Sequence, residues 1–395
     1  MYIDAPIRGN RVMIEIKRKR YRCKSCGKTI YEPLPDFHEK RLATKRLVKY
    51  VQERVIKQTF ASLAVEVGMD EKSIRHIFDD HINSLCQNVR FETPEILGID
   101  DVKCSGSFRC ILTNIEKLSV FDLLPSCDQE KLSQHFSMLA DKHNVKVITM
   151  DLSRTFRQVA QEHFPRRIII ADRFHVTKMA NDALEKVRRK LWRHLGKETK
   201  TALKHDRHKL KSRRNTLSPE HAINLESVLS CMPELKTAYE AKEQFFDLYE
   251  HPSRQHAEVA AANWLSQLAP SIQADFKPCI AAITGWNKEI FNYYECKVTN
   301  AYTESANRLI NDIERAGRGY DFEVIRAKLL YNEKSRRNTQ QSIRRKVRQE
   351  ISTHSLIGSF TKPQKMYETV FIEQAVEFGP HIPTLIELID DGQIG

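Results

Sequence analysis

The sequence predicts an α/β core interrupted by an all-helical stretch and preceded by a small strand segment and a helical segment. Three observations carry this. Three apolar runs, at 95–101, 145–151 and 167–172, each end in aspartate, as strands do when they deliver side chains to the carboxyl edge of an open sheet. Between 176 and 295 no strand signal survives and the pattern is helical. Near the start, Val12, Ile14 and Ile16 alternate with Arg11, Met13, Glu15 and Lys17, the period of a half-buried strand.

Composition narrows the class. With 395 residues, 41% of them apolar, the chain has core for two or three domains and is not a disordered polymer. Lys and Arg number 64 against 51 acids, and the resulting charge of +13 favours a polyanionic partner, because neutralised phosphates release counterions. No apolar run approaches the roughly 20 residues a membrane span needs, and no signal peptide opens the chain, so no membrane partner is expected. The nine cysteines, odd in number and without a disulfide-like pattern, point to a reducing cytoplasm.

Residues 1–37 read as short strands. The basic run Lys17-Arg-Lys-Arg-Tyr-Arg22 leads into Cys23-Lys-Ser-Cys26-Gly27, the spacing with which a zinc knuckle presents two thiolates. A tetrahedral site needs four ligands, and beyond Cys23 and Cys26 the stretch offers only His38 and, poorly, Asp36. Two states stay open, a bound zinc and a metal-free remnant, and the segment is expected to be zinc-ribbon-like but incomplete.

Residues 38–90 turn helical. Ala64, Gly68, Ile74 and Ile77 stand at the spacing of a helix-turn-helix: a small contact residue, a left-handed turn, and two apolar locks in the second helix. Asp70 suits the cap of that second helix, and Lys72, Ser73, Arg75 and His76 form its outward face, suited to phosphates and base edges in a major groove.

From 91 the class changes. A run ending at Asp100 and Asp101 is followed by strands at 108–112 and 118–124 and a helix at 129–143. A run ending at Asp151, a helix at 155–163 and a run ending at Asp172 complete the series. A three-strand meander, helix, strand, helix, strand is the order of a ribonuclease-H-like domain. Domains are therefore expected at 1–37 (strand segment), 38–90 (helix-turn-helix), 91–178 (first part of the core), 179–296 (helical insertion), 297–335 (second part of the core) and 336–395 (basic tail). Within the insertion, residues 186–214 hold thirteen Lys or Arg against Glu198 and Asp206, an imbalance that repels itself without a polyanion; Lys211, Arg213 and Arg214 are candidate DNA contacts. Residues 299–313 form an amphipathic helix, with Ala306, Leu309, Ile310 and Ile313 on one face and Glu304, Asn307, Arg308 and Asn311 on the other.

Cutting and joining DNA requires an attacking and a leaving oxygen to be stabilised in line, which two Mg²⁺ or Mn²⁺ ions held by two or three carboxylates accomplish. Asp100, Asp151 and Glu304 fit that plan. Asp100 is preferred over Asp101 because Leu97 and Ile99 share the side of Asp101, which should be core. Asp151 is preferred over Asp172 because its strand should lie beside the first, with Asp172 one strand further out.

These residues resemble the ISL-three family of insertion-sequence transposases, over roughly 2–335. The resemblance lies in Tyr2-Ile-Asp-Ala-Pro-Ile-Arg-Gly9, Arg20-Tyr-Arg-Cys23-Lys-Ser-Cys26-Gly27, Gly98-Ile-Asp100, Met150-Asp151-Leu-Ser153, Ala171-Asp172-Arg-Phe-His175 and Thr299-Asn-Ala-Tyr-Thr-Glu304-Ser-Ala-Asn307. It implies a DDE core interrupted by a helical insertion and acting on terminal inverted repeats. Double-stranded DNA and further copies of the chain assembled on it are the expected partners, in the bacterial cytoplasm and nucleoid. A Cys/Asp-x-x-His motif after the second catalytic Asp, known in related superfamilies, implies that Asp172 and His175 are accessory and that Asp151 serves the metals; Asn307 is placed with them. A typical member has a second Cys pair ahead of Cys23, which this chain lacks. A catalytically inactive DNA-binding regulator and a nuclease without joining activity are the competing readings.

Overall fold

The computed structural model describes residues 1–193, 196 and 207–332; Lys197, Lys200 and Lys204 of the basic run, and the tail from 336 onward, lie outside the described residues. The chain forms two compact units, one spanning Met1–Asn88 and the other beginning at Val89.

In the first unit, β1 (Tyr2–Ile7) pairs antiparallel with β2 (Asn10–Ile14) across Arg8 and Gly9, both at positive φ, the backbone a tight hairpin requires. A second hairpin, β3 (Arg20–Arg22) and β4 (Thr29–Tyr31), carries Cys23 and Cys26 at its turn. The Ser25 hydroxyl, 3.1 Å from Cys23 Sγ, and nearby backbone N–H groups lower the Cys23 thiol to about 6. His38 contacts residues that follow it in the chain. Its Nε2 lies 2.8 Å from Arg41 Nη1 and its Nδ1 3.2 Å from Lys40 N, so one ring nitrogen of the anticipated third zinc ligand accepts from a neighbour in its own turn.

Three helices follow. Thr44 caps α1 (Lys45–Val55), Thr59 caps α2 (Phe60–Val67), and Asp70, accepting from Ser73 N–H at 2.8 Å, caps α3 (Glu71–Asn88). Gly68 ends α2 at φ +76°, and a Cβ there would meet Arg11 Cδ at 2.9 Å. The Arg11 guanidinium caps the same turn from outside, donating to Val65 O.

The second unit is built on five strands: β5 (Ile96–Cys104), β6 (Ser107–Asn114), β7 (Ser119–Leu124), β8 (Val147–Met150) and β9 (Ile168–Ala171). Their order is β7-β6-β5-β8-β9; β5, β8 and β9 run parallel and the β5–β6–β7 meander antiparallel. Leu97, Ile99, Leu112, Ile148 and Met150 enter one buried core with Leu132 and Phe136 of α4 (Gln129–Met138) and Phe156 and Val159 of α5 (Arg154–His163). The α4 helix stops five residues earlier than its sequence pattern suggests. Buried Val145 must enter the core at the foot of β8, and a 3-10 turn at Lys142–Asn144 brings it there.

Nor does β5 end at its acids. Its parallel partner β8 stops opposite Ile99, but its antiparallel partner β6 continues, so pairing runs on to Cys104↔Ser107. Asp100 therefore sits mid-strand, at the point where one neighbour has ended.

From β9 the chain enters α6 (Arg173–Trp192), then α7 (Arg207–Lys211), α8 (Pro219–Ser230), α9 (Pro233–Asp247), α10 (Arg254–Gln267), α11 (Pro270–Gln273), α12 (Lys277–Gly285), α13 (Asn287–Phe291) and α14 (Tyr293–Cys296). The stretch holds itself together with aromatics, as where the Trp264 indole stacks near Phe245 and donates to Ala241 O at 2.9 Å. It returns to the sheet through Asn292, whose side-chain amide donates to Ile169 O at 2.8 Å. Two final helices, α15 (Ala301–Gly317) and α16 (Phe322–Tyr331), complete the unit.

Among the described residues of 186–214, several basic side chains are met by acids of the same unit, distant in sequence or on the same helix. Lys190 pairs with Asp275 at 2.6 Å, and Arg188, Arg189 and Arg207 converge on Glu185. That cluster holds the Glu185 carboxyl at about 2, mainly through hydrogen bonds from Arg188. A carboxyl depressed in this way contributes stability above its ordinary value of about 4.3 and loses it as pH falls toward about 2. Urea unfolding between pH 7 and pH 3 is expected to show a steeper loss of stability on acidification for wild type than for Glu185→Gln, whose stability is lower at pH 7; equal slopes contradict this.

Candidate active site

The functional edge of the sheet begins with a missing side chain. Alternation places Gly98 and Asp100 on one face of β5, and register aligns Gly98 with Thr113 of β6 and Thr149 of β8. A Cβ on Gly98 would lie 2.7 Å from both Asn300 Oδ1 and Thr303 Oγ1, and closer still to Thr113 Oγ1. Absence of a side chain is what lets the first turn of α15 lie against the strand. Buried hydrogen bonds hold it there: Thr149 Oγ1 and Thr303 Oγ1 both donate to Asn300 Oδ1 (3.0 and 2.5 Å), and Thr303 Oγ1 is 2.7 Å from Thr113 Oγ1. Asn300 in turn donates its amide to Ile99 O and its backbone N–H to Asp172 Oδ1, both at 3.3 Å.

One turn further, α15 presents Glu304 and Asn307. Asn307 Nδ2 donates to Asp100 Oδ2 at 2.8 Å, while Asp100 Oδ1 accepts from Asp101 N–H at 2.8 Å. Asp100 is only 2% exposed. Burial, reinforced by the neighbouring Asp151 charge and opposed in part by His175, pushes its carboxyl up to about 8.

Asp151 follows β8 directly and Asp172 follows β9, both on the chain just past the strands beside Asp100. His175, in the first turn of α6, sits among them. Its Nδ1 lies 3.0 Å from Asp172 Oδ2 and 2.7 Å from Asp151 Oδ1, and its Nε2 is 3.6 Å from Glu304 Oε1. Burial works against its charge, but the two aspartates prevail and raise the imidazole to about 10. The imidazolium thus occupies the centre of a carboxylate ring. Two donor sets, Asp100–Asp151–His175 and Asp172–His175–Glu304, each have their ligand atoms within 4.8 Å of one another.

The two aspartates are not equivalent. Asp172 is 1% exposed and accepts from Asn300 and His175. Asp151 borders a cavity of about 450 Å³, and its Oδ1 has the His175 imidazole as its ion-pair partner. Asp101 points to the other face of β5 and lines the same cavity; burial and the Asp151 charge raise its carboxyl.

Residues 97–329 match the sequence profile of the ISL-three transposases, described as "Transposase". The chain belongs to that family. Among curated proteins, the "Transposase for insertion sequence element IS1001" of Bordetella parapertussis is 20% identical over 324 residues, covering 80% of each chain. Family and relative together place the chain among insertion-sequence transposases, nucleotidyl-transfer enzymes of the DDE class.

Of the residues singled out in the sequence, the structure brings Asp100, Asp151, Asp172, His175, Glu304 and Asn307 together. It does not bring Glu304 into the Asp100–Asp151 set directly; the two meet through His175. Lys72 and His76 are exposed on α3, the Ser73 hydroxyl donates to Asp70 Oδ2 at 2.7 Å, and Arg75 lies half-buried over the Phe60 ring, 5.5 Å from its centroid. Arg213 is engaged within the unit. It is bound by Glu243, Asp247 and Glu250 from α9 and the turn after it. Arg214 lies over Tyr239 and near Glu226, and Lys211 is half-exposed. Gly98, Thr113, Thr149, Asn300 and Thr303 were not recognised as a group from sequence. The available signal was a glycine inside a strand, which marks a close backbone approach.

Filling that approach should loosen the site before the fold. Gly98→Ala is expected to destabilise the second unit by about 1–3 kcal/mol and to abolish DNA cleavage. Calorimetry and a cleavage assay on the same sample check this; full activity with unchanged melting would contradict the packing described.

Proposed function

We propose that the chain binds the terminal inverted repeats of its element and catalyses metal-dependent cleavage and strand transfer at Asp100, Asp151 and Glu304. One observation supports the reading: ligand atoms of Asp100, Asp151 and His175 lie within 4.8 Å of one another where β5 and β8 run side by side. Hard oxygen donors of this kind suit Mg²⁺ or Mn²⁺, and His175 now fills with its own charge the place a cation suits. Bound divalent ions supply Lewis acidity to the attacking and leaving oxygens of an in-line displacement.

The protein's own groups do the positioning. Asn307 fixes one oxygen of Asp100, and Asp172 orients the His175 ring. The α15 helix, docked over Gly98, sets Glu304 across from the two aspartates. The strand order β7-β6-β5-β8-β9, with a helical insertion before the Glu304 helix, supports a ribonuclease-H-like core. The Gly68 turn between α2 and α3, with Lys72 and His76 outward, supports a helix-turn-helix contact with double-stranded DNA. Two active sites are needed for two ends, so the working form is an oligomer on DNA, associated with the bacterial nucleoid.

Purified protein, Mn²⁺ and a synthetic element end with a target plasmid test the reading. Cleaved and joined products are expected from wild type. Asp100→Asn, Asp151→Asn and Glu304→Gln should each lose on the order of thousandfold in rate, several kcal/mol of transition-state stabilisation, while still binding the end. Cleavage without joining would reduce the assignment to a nuclease, and undiminished activity in Asp151→Asn would transfer the metal role to Asp172.

A further inference from the structure

Phe174 stands apart from every packing role in the second unit. It occupies the first turn of α6, between the buried Asp172 and His175, yet its side chain is 52% exposed and belongs neither to the core nor to the residues packed against it. Its backbone is held on one side by His175, tied to Asp172 and Asp151, and on the other by Arg173, whose guanidinium lies over the Tyr249 ring. The Phe174 ring meets the His175 ring edge-on at 5.3 Å between centroids, and that imidazole is 2.7 Å from Asp151 and 3.6 Å from Glu304. One helical turn along the same side, exposed Lys178 lines the cavity that Asp151 opens into, over an apolar floor of Leu152, Phe156 and Met179. A rigidly mounted, exposed aromatic beside a charged reaction centre, with an ammonium one turn away, offers a π-face and a phosphate contact at the spacing of a single nucleotide.

We propose that Phe174 stacks on the nucleobase adjoining the phosphate that is cut, with Lys178 on that nucleotide's own phosphate. The inference rests on the transposase reading and specifies how the DNA end is held in register. Inside a duplex that base is covered by its neighbours, so the contact requires it to be unstacked, a state available at a strand end or at a locally opened step.

A double-mutant cycle with full-length protein tests it. The probe is a synthetic duplex of the element end, either intact or made abasic at one of the two positions flanking the cut. Base removal at one position is expected to weaken wild-type binding about five- to a hundredfold. Phe174→Ala should show the same loss on intact DNA and no further loss on the abasic duplex, and Phe174→Tyr should restore wild-type behaviour. The ring is exposed, so the melting temperature of Phe174→Ala should match wild type, separating stacking from folding. Wild-type affinity of Phe174→Ala for intact DNA, or losses that multiply instead of coinciding, overturns the proposal. Wild type that neither cuts nor joins the element end in Mn²⁺ removes the transposase reading itself, and this inference with it.

Discussion

The second unit depends on the contact between Gly98 and the first turn of α15. Strand β5 reaches the centre of the sheet carrying Asp100, but two residues earlier it leaves out a side chain so that Asn300 and Thr303 can lie directly on its backbone. Polar groups from three strands and one helix then satisfy each other in a buried space. Such networks specify one arrangement because any shift leaves buried groups unpaired. From that anchor, one turn of helix sets Glu304 and Asn307 opposite the acids, and the Asn300 backbone N–H reaches Asp172 on the far strand. A helix distant in sequence is thereby brought into register with the middle of β5 and the ends of β8 and β9.

The electrostatics follow from this crowding. Asp100 is buried beside Asp151, and its carboxyl retains a proton well above the usual carboxylate range. His175 is charged for the complementary reason, since two carboxylates outweigh its burial. A ring of acids that recruits an internal cation is organised around positive charge. The insertion shows a related economy with the signs reversed, as its arginines draw Glu185, Glu243, Asp247 and Glu250 inward.

Much of this was legible from sequence because it is encoded locally. Apolar runs ending in aspartate marked β5, β8 and β9, two further apolar runs marked β6 and β7, and the pattern put Asp100 and Asp151 near one edge of the sheet. What was not legible depends on partners remote in the chain. The extension of β5 past its acids depends on how far β6 pairs, and the early end of α4 on where Val145 must be buried. The basic run 186–214 looked self-repelling because several of its counter-charges lie at 226–275, far along the chain, although Glu185 sits at its very edge. Asn300 was within view, in the same segment as Glu304, but its role is visible only once Gly98 is beneath it.

The claim that Asp100 and Asp151 form the metal-binding half of this site is tested most directly by Mn²⁺-induced stabilisation. At a hundredfold excess over Kd, a bound ion should raise the melting temperature of wild type by about 5 °C or more. The account predicts that this rise disappears in both Asp100→Asn and Asp151→Asn and persists, reduced, in Asp172→Asn. A full rise in Asp151→Asn, with none in Asp172→Asn, would contradict it.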